Sequence, residues 1–245
     1  MTYKVYLTTR VNPSKLKKGS GIIVLEPDDY TADQVKAIKA KGYKVLGYLS
    51  VGTIEKERSW YKEYSQFKLK QLPDWPKEFY MDLRKTKWRK FLLSRAEAIK
   101  KKGFDGFWLD NLDVYEEYKS KAMFNAALAI LQDIKSLKKY VMVNGGSEWL
   151  DNALDKKLAI TKYINGYTQE EVFSRIKDYS GKGKFGKQTG EQSKFYRTLL
   201  KRVLKAKVQT FLLEYTRDDT LKAKIKSWCS KNKMTGYYIA SDVNL

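Results

Sequence analysis

Short runs of consecutive apolar residues alternate along this chain with longer stretches whose apolar positions recur every three or four residues. The short runs are Lys4–Thr8, Ile22–Leu25, Val45–Val51, Phe104–Leu109, Tyr140–Val143, Ile164–Gln169, Val208–Leu213 and Gly236–Ala240. Each reads as a strand, because strands of parallel sheets are buried on both faces and need not alternate apolar with polar. The longer stretches read as helices over Thr31–Lys41, capped by Thr31, and over Thr86–Lys102, Ser120–Leu137, Gln192–Ala206 and Asp219–Asn232. Strand and helix taking turns imply a parallel sheet, and eight such units in this length predict an α/β fold, a single (β/α)8 TIM barrel. The rival, an open doubly wound sheet, would carry a Gly-rich phosphate turn after its first strand, and none is present.

Two connections, after strands 3 and 6, are long. Residues 52–80 include Glu55, Arg58, Trp60 and the Pro73-Asp-Trp-Pro76 turn, and residues 173–191 include Lys177 to Lys187, with the Gly and Lys content of a flexible flap. Long loops on a compact barrel are usually functional. The second loop lacks the Gly-Lys-Ser/Thr of a phosphate-binding loop. Four prolines and no linker-like tract predict one domain over residues 1–245.

The run Phe104-Asp-Gly-Phe-Trp-Leu-Asp-Asn-Leu-Asp113 concentrates polar residues at a strand's carboxyl end, where parallel barrels keep their chemistry. A period of two puts Phe104, Gly106, Trp108 and Asp110 on one face and Asp105, Phe107, Leu109 and Asn111 on the other. The other strands end at Glu26 and Asp28, Ser50, Asn144, Glu170 and Glu171, Glu214 and Tyr215, and Asp242. A closed barrel gathers these on one rim. Two carboxylates flanking a scissile bond, with Tyr and Trp to stack on sugar rings, are the equipment of glycoside hydrolysis. Only one of Glu170 and Glu171 can face the barrel, and spacing alone does not choose. The simplest alternative for Asp113 is a cap on the turn that follows, and for Asp28 or Asp29 a cap on the helix at Thr31.

The 245 residues contain no His and a single Cys, Cys229. His-based acid–base catalysis, Ser-His-Asp triads and His-ligated metals are therefore excluded, which leaves carboxylate, Tyr and Lys chemistry. No EF-hand spacing calls for Ca²⁺, and nothing demands a metal or cofactor. No apolar run is long enough to span a bilayer. Met1–Arg10 lacks the apolar core of a signal peptide, so the chain reads as leaderless or as a trimmed mature form. Forty-nine Lys and Arg against 28 Asp and Glu give a net charge of +21, with the bases in the helical stretches and the acids after the strands. Such a balance favours anionic partners such as an anionic cell envelope, with a solvated Lys-rich surface as the simpler alternative. Nucleic acid is disfavoured, because no recognised motif accompanies the charge.

The stretch Lys44-Val-Leu-Gly-Tyr-Leu-Ser-Val-Gly52 with Glu55 and Arg58 resembles glycoside hydrolase family 114, the endo-α-1,4-polygalactosaminidases. So do Tyr80-Met-Asp-Leu-Arg84 with Trp88-Arg89, and Lys102 through Asp113. Val143-Asn-Gly-Gly146, Asn165 through Glu170, and Leu213-Glu-Tyr215 continue the match in order over nearly the whole chain. The resemblance implies a (β/α)8 barrel that cleaves α-linked galactosamine polymers, endo-acting and with retention, without a cofactor. It makes Asp110 the nucleophile and Glu170 the acid/base, and it lines the sugar subsites with Tyr48, Glu55, Asp82, Asn111, Asp113, Asn144 and Tyr215. A polysaccharide substrate, a monomeric enzyme and action outside the cell or at its envelope follow from it. The alternatives are a phage or bacterial lytic glycosidase acting on another amino-sugar polymer of the cell wall, and a carbohydrate-binding barrel without catalysis.

Overall fold

The computed structural model covers all 245 residues. Eight parallel strands close into a barrel: β1 Thr2–Tyr6, β2 Gly21–Leu25, β3 Tyr43–Ser50, β4 Gly106–Asp110, β5 Tyr140–Asn144, β6 Gly166–Glu170, β7 Gln209–Tyr215 and β8 Gly236–Ala240. They pair in sequential order, and β1 meets β8 to complete the ring. Six helices pack outside: α1 Ala32–Lys39, α2 Thr86–Lys101, α3 Lys121–Ser136, α4 Ser147–Asp155, α5 Gly190–Lys205 and α6 Asp219–Lys231. No helix is long and apolar enough to cross a membrane.

The strand sequences alternate between two cores. Tyr3, Val5, Ile22, Val24, Leu46, Trp108, Met142, Phe211 and Leu213 fill the barrel interior. Residues between them, such as Ile23, Val45, Phe107, Leu109 and Val143, face the helices. On α2 the buried residues Trp88, Leu92, Ala96 and Ile99 recur at helical spacing. Full burial of each large apolar side chain contributes about 1.5–3 kcal/mol. Thr31 caps α1 through a capping box with Gln34, as expected from the sequence.

Several sequence expectations shift. Phe104 belongs to the outer core, because the strand begins only at Gly106 and the period of two does not reach back to it. Gly106 is required there: a Cβ would run into the Tyr140 carbonyl of β5. The link from β1 to β2 has no helix, and the amides of Leu7, Thr8 and Thr9 instead turn to the Leu245 carbonyl. The long loop after β3 folds into a three-stranded antiparallel sheet, Thr53–Glu55, Lys68–Gln71 and Glu78–Met81. The expected flap after β6 is an antiparallel hairpin, Ser174–Asp178 with Lys184–Lys187. Asp113 makes no cap bond. Asp28 pairs with Arg95 and Asp29 with Arg10 rather than capping α1.

The helix ends carry an unexpected pattern. Lys138, Lys157, Lys207 and Lys233, the residues just past the C-caps of α3, α4, α5 and α6, have φ of 57°, 56°, 64° and 56°. Glycine takes this left-handed conformation freely, whereas a side chain there costs roughly 1–2 kcal/mol. α2 uses glycine there, Gly103 with φ 93°, and α1 places Gly42, φ 101°, one residue further on.

Candidate active site

The carboxyl ends of β3 to β7 bring Tyr48, Asp110, Asn144, Glu170 and Tyr215 onto one rim. Each lies two residues beyond an inward-facing residue: Leu46, Trp108, Met142, Thr168 and Leu213. That lower rung is a dry floor. Trp108 Nε1 donates to the Tyr3 hydroxyl at 2.9 Å, which meets Thr168 Oγ1 at 3.1 Å.

One amide ties the centre together. Asn144 Nδ2 donates to Asp110 Oδ1 at 2.8 Å and to Glu170 Oε1 at 2.6 Å, so those two oxygens lie at most about 5.4 Å apart. The second Glu170 oxygen accepts from the Tyr215 hydroxyl at 2.7 Å. Asn144 Oδ1 is buried without a donor. Burial and the neighbouring Glu170 charge push Asp110 up to about 7. Burial likewise pushes Glu170 up to about 7, against the hydrogen bonds from Tyr215 and Asn144. Neighbouring carboxyls that cannot both ionise comfortably can divide the roles of proton donor and nucleophile.

Parity decides between the paired glutamates. Glu170 faces the barrel with Thr168, whereas Glu171 turns away in a left-handed conformation, φ 55°. Its carboxylate takes the Ile176 amide at the base of the hairpin, and its carbonyl accepts from Gln188 Nε2 at 3.1 Å. Asn111 is also left-handed, φ 65°. Its amide donates to Ser50 Oγ at 3.0 Å, Thr53 Oγ1 at 2.9 Å and Glu78 Oε1 at 3.3 Å. Both residues that follow the central carboxylates thus make strained, hydrogen-bonded turns, a feature concentrated at functional sites. Gly52 permits the one at Asn111, since a Cβ there would strike the Asn111 carbonyl.

The other sequence candidates spread outward. Glu55 stands at the rim and binds Arg58, whose guanidinium also holds Glu26 at 2.9 Å. Asp113 Oδ1 accepts the Gly146 amide at 2.8 Å and clamps the β4 loop to the β5 loop. Asp82 does not join the group. Its carboxylate takes the Arg84 amide at 3.1 Å and guanidinium at 2.7 Å, and these bonds outweigh burial to hold it below the usual carboxylate range. No cluster of His, Cys, Asp and Glu side chains is arranged to hold a metal.

One acidic residue escapes the sequence reading, and a second takes a place its strand end does not imply. Glu78, from the sheet inserted after β3, accepts from Thr53 Oγ1 and Asn111, and burial pushes it up to about 7. It sits mid-loop, where no period or motif marks it. Glu214 was named as a strand end, but with Leu213 and Tyr215 facing inward it must face outward. There it accepts the amides of Phe173 and Ser174, at 3.0 and 2.8 Å, and anchors the hairpin.

These buried carboxyls set the pH dependence of stability. Asp110, Glu170 and Glu78 hold their protons more tightly folded than unfolded. Their contribution is complete below their unfolded values and is lost as pH rises through about 7. The melting temperature should therefore fall from about pH 5 to about pH 8, and an Asp110→Asn/Glu170→Gln double variant should lessen that slope, the rest being carried by Glu78, Glu116 and Glu214, which burial also pushes up. An unchanged slope in the double variant, read by thermal denaturation, would show that neither group carries the effect.

A carboxylate pair at the C-terminal rim of a parallel barrel is an arrangement used by glycoside hydrolases. The chain belongs to glycoside hydrolase family GH114, whose family model matches residues 1–243. Among curated proteins it is similar to an uncharacterized protein of Thermotoga maritima, 23% identical over 165 residues, or 60% of this chain and 50% of that protein. The chain spans half or less of the length of the curated relatives it matches. Its fold is that of the glycoside hydrolase domain of PelA from Pseudomonas aeruginosa, with TM-score 0.81 at 17% identity over 100% of this chain and 96% of that one. Aspergillus fumigatus Ega3, solved in complex with galactosamine, superposes with TM-score 0.75 at 14% identity over 99% and 91% of the two chains.

Proposed function

We propose that this protein is a retaining, endo-acting glycosidase that cleaves α-linked galactosamine-containing polysaccharide, with Asp110 as nucleophile and Glu170 as acid/base. The observation that carries this reading is the Asn144 amide shared by the two carboxylates. Sharing one amide nitrogen keeps the two bridged oxygens within about 5.4 Å of each other, which supports the close carboxyl pair of retaining enzymes, about 5–5.5 Å, over the wider one that admits a water for inversion.

In the first half-reaction the free Asp110 oxygen attacks C1 as the bond from C1 to the leaving oxygen breaks, and the Glu170 proton passes to that oxygen. In the second, Glu170 takes a proton from water, the resulting hydroxide attacks C1, and the bond to Asp110 breaks. Asn144 keeps both carboxylates in register through both halves. Tyr48, Tyr215 and Glu55 line the approach, and Asn111 and Asp113 act from behind by fixing the loops. Asp110, Glu170 and Glu78 line the mouth with carboxyl groups not paired to a base, which suits a sugar carrying an amine despite the net charge of +21. Polymers of this kind lie outside cells or in their envelopes, and action there follows from the substrate.

Incubation with an α-1,4-linked galactosamine polymer, its free-amine and N-acetylated forms tested separately, should release a ladder of short oligosaccharides seen by mass spectrometry. Binding of the polymer without any shortening would replace this reading with that of a non-catalytic carbohydrate-binding barrel.

A further inference from the structure

Part of the positive charge lies at the end of the barrel opposite the mouth. Five of the turns that lead from helix back to strand (residues 40–42, 102–105, 137–139, 206–208 and 232–235) are short, and the sixth, residues 156–165, holds only a single 3-10 turn, so this end lacks the inserted sheets that surround the mouth. Lysines stud it on every side, with Lys18, Lys101, Lys138, Lys157, Lys207 and Lys233 all exposed. Lys18 reaches this end because the adjacent Gly19 amide bonds to the Lys41 carbonyl at 2.9 Å. The acids of the same end do not cancel the field. Asp105 is paired with Lys39 and Asp133 with Arg89, while Asp155 and Asp151 share Arg202.

Two further features separate this face from an ordinary solvated surface. Lys138, Lys157, Lys207 and Lys233 occupy left-handed positions that favour glycine, so charge stands where backbone strain argues for no side chain. The short turns also contain lysines and no arginine. Lysine is a point charge without the bidentate geometry that recognises a fixed phosphate. Point charges spread around the whole end match a fluid anionic plane better than a strand of regularly spaced phosphates. Met1, exposed and packed near Gly236, adds an apolar side chain at the same end.

We infer that the base of the barrel is a docking face for an anionic lipid bilayer. The protein adsorbs through its lysines with the acidic mouth turned away from the membrane, toward polymer above it.

Vesicle co-sedimentation tests this with the full chain. Vesicles of phosphatidylcholine with phosphatidylglycerol should sediment the protein, vesicles of phosphatidylcholine alone should not, and added salt should release it. Replacing Lys138, Lys157, Lys207 and Lys233 together with Gly removes four charges while relieving four strained positions. The variant should fold with an undiminished melting temperature and bind about tenfold or more weakly. A control that replaces Lys62, Lys177, Lys182 and Lys187 with Gln removes the same charge near the mouth and should bind as the parent does. Equal losses in the two variants would mean that net charge alone acts, and would overturn the assignment of a face. Failure to bind anionic vesicles while binding a DNA duplex at the same salt would overturn the lipid partner.

Discussion

Replacing Asp110 with Asn should lower kcat on a galactosamine polymer by about 10⁴–10⁶-fold, the usual scale for loss of a covalent nucleophile. The substitution is close to isosteric, and the new side-chain oxygen can still accept from Asn144 Nδ2, which lies 2.8 Å from the present one. What it removes is the negative oxygen that forms the bond to C1. Folding should survive, because a buried group that resists ionisation is replaced by a neutral one, and the melting temperature at pH 8 should be equal or higher. Affinity for the polymer should also persist, since the acidic rim and Tyr48 are untouched. The readouts are therefore a kcat measured on protein of known melting temperature, with binding measured separately. Retention of more than about one-hundredth of the parent activity would remove Asp110 from the covalent step.

Replacing Glu170 with Gln should produce a different pattern. Loss of a general acid/base costs about 10²–10⁴-fold on polymer, whose leaving oxygen must be protonated. A galactosaminide with a dinitrophenyl leaving group needs no such proton, so its first half-reaction should stay fast while the second, which needs the base, becomes slow. Azide, a nucleophile that needs no deprotonation, should then restore turnover. Asp110→Asn should show neither the burst nor the rescue. Glu171→Gln should change kcat only a few-fold, because the Glu171 carboxylate is taken up by the Ile176 amide outside the barrel. A large loss in Glu171→Gln with little effect in Glu170→Gln would reverse the assignment.

The difference between these glutamates illustrates what the sequence carries and what it leaves out. The strands ending at Asp110, Asn144 and Tyr215 are legible because a buried parallel strand leaves a continuous apolar run and a polar end. The pairing of Asp110 with Glu170 then follows from barrel closure. The choice of Glu170 over Glu171 needs the phase of β6, and that strand starts two residues later than the apolar pattern suggests, at Gly166. Once Thr168 is known to touch Tyr3 inside the barrel, the phase is fixed. Glu78 was beyond reach, because it enters from a small antiparallel sheet whose residues carry no period long enough to read. Asp82 is the opposite case. It lies in a family-like motif, yet it serves Arg84 at the start of α2, and local ion pairing of that kind leaves no trace in spacing.

The barrel itself was recoverable for the same reason that its mouth was. Eight apolar runs separated by amphipathic stretches admit few closed arrangements. The missing helix between β1 and β2 was not recoverable, since the segment after Tyr6 is fastened by the Leu245 carbonyl from the far end of the chain. Long-range backbone bonds of this sort have no local signature.

The most direct measurement is the intact mass of the Glu170→Gln protein after brief exposure to the dinitrophenyl galactosaminide, followed by peptide mapping. A retaining mechanism through these residues predicts a gain of one glycosyl residue, carried on the peptide that contains Asp110 and released by azide. Protein that turns the substrate over yet stays unlabelled, or that carries the sugar on any other side chain, would contradict it.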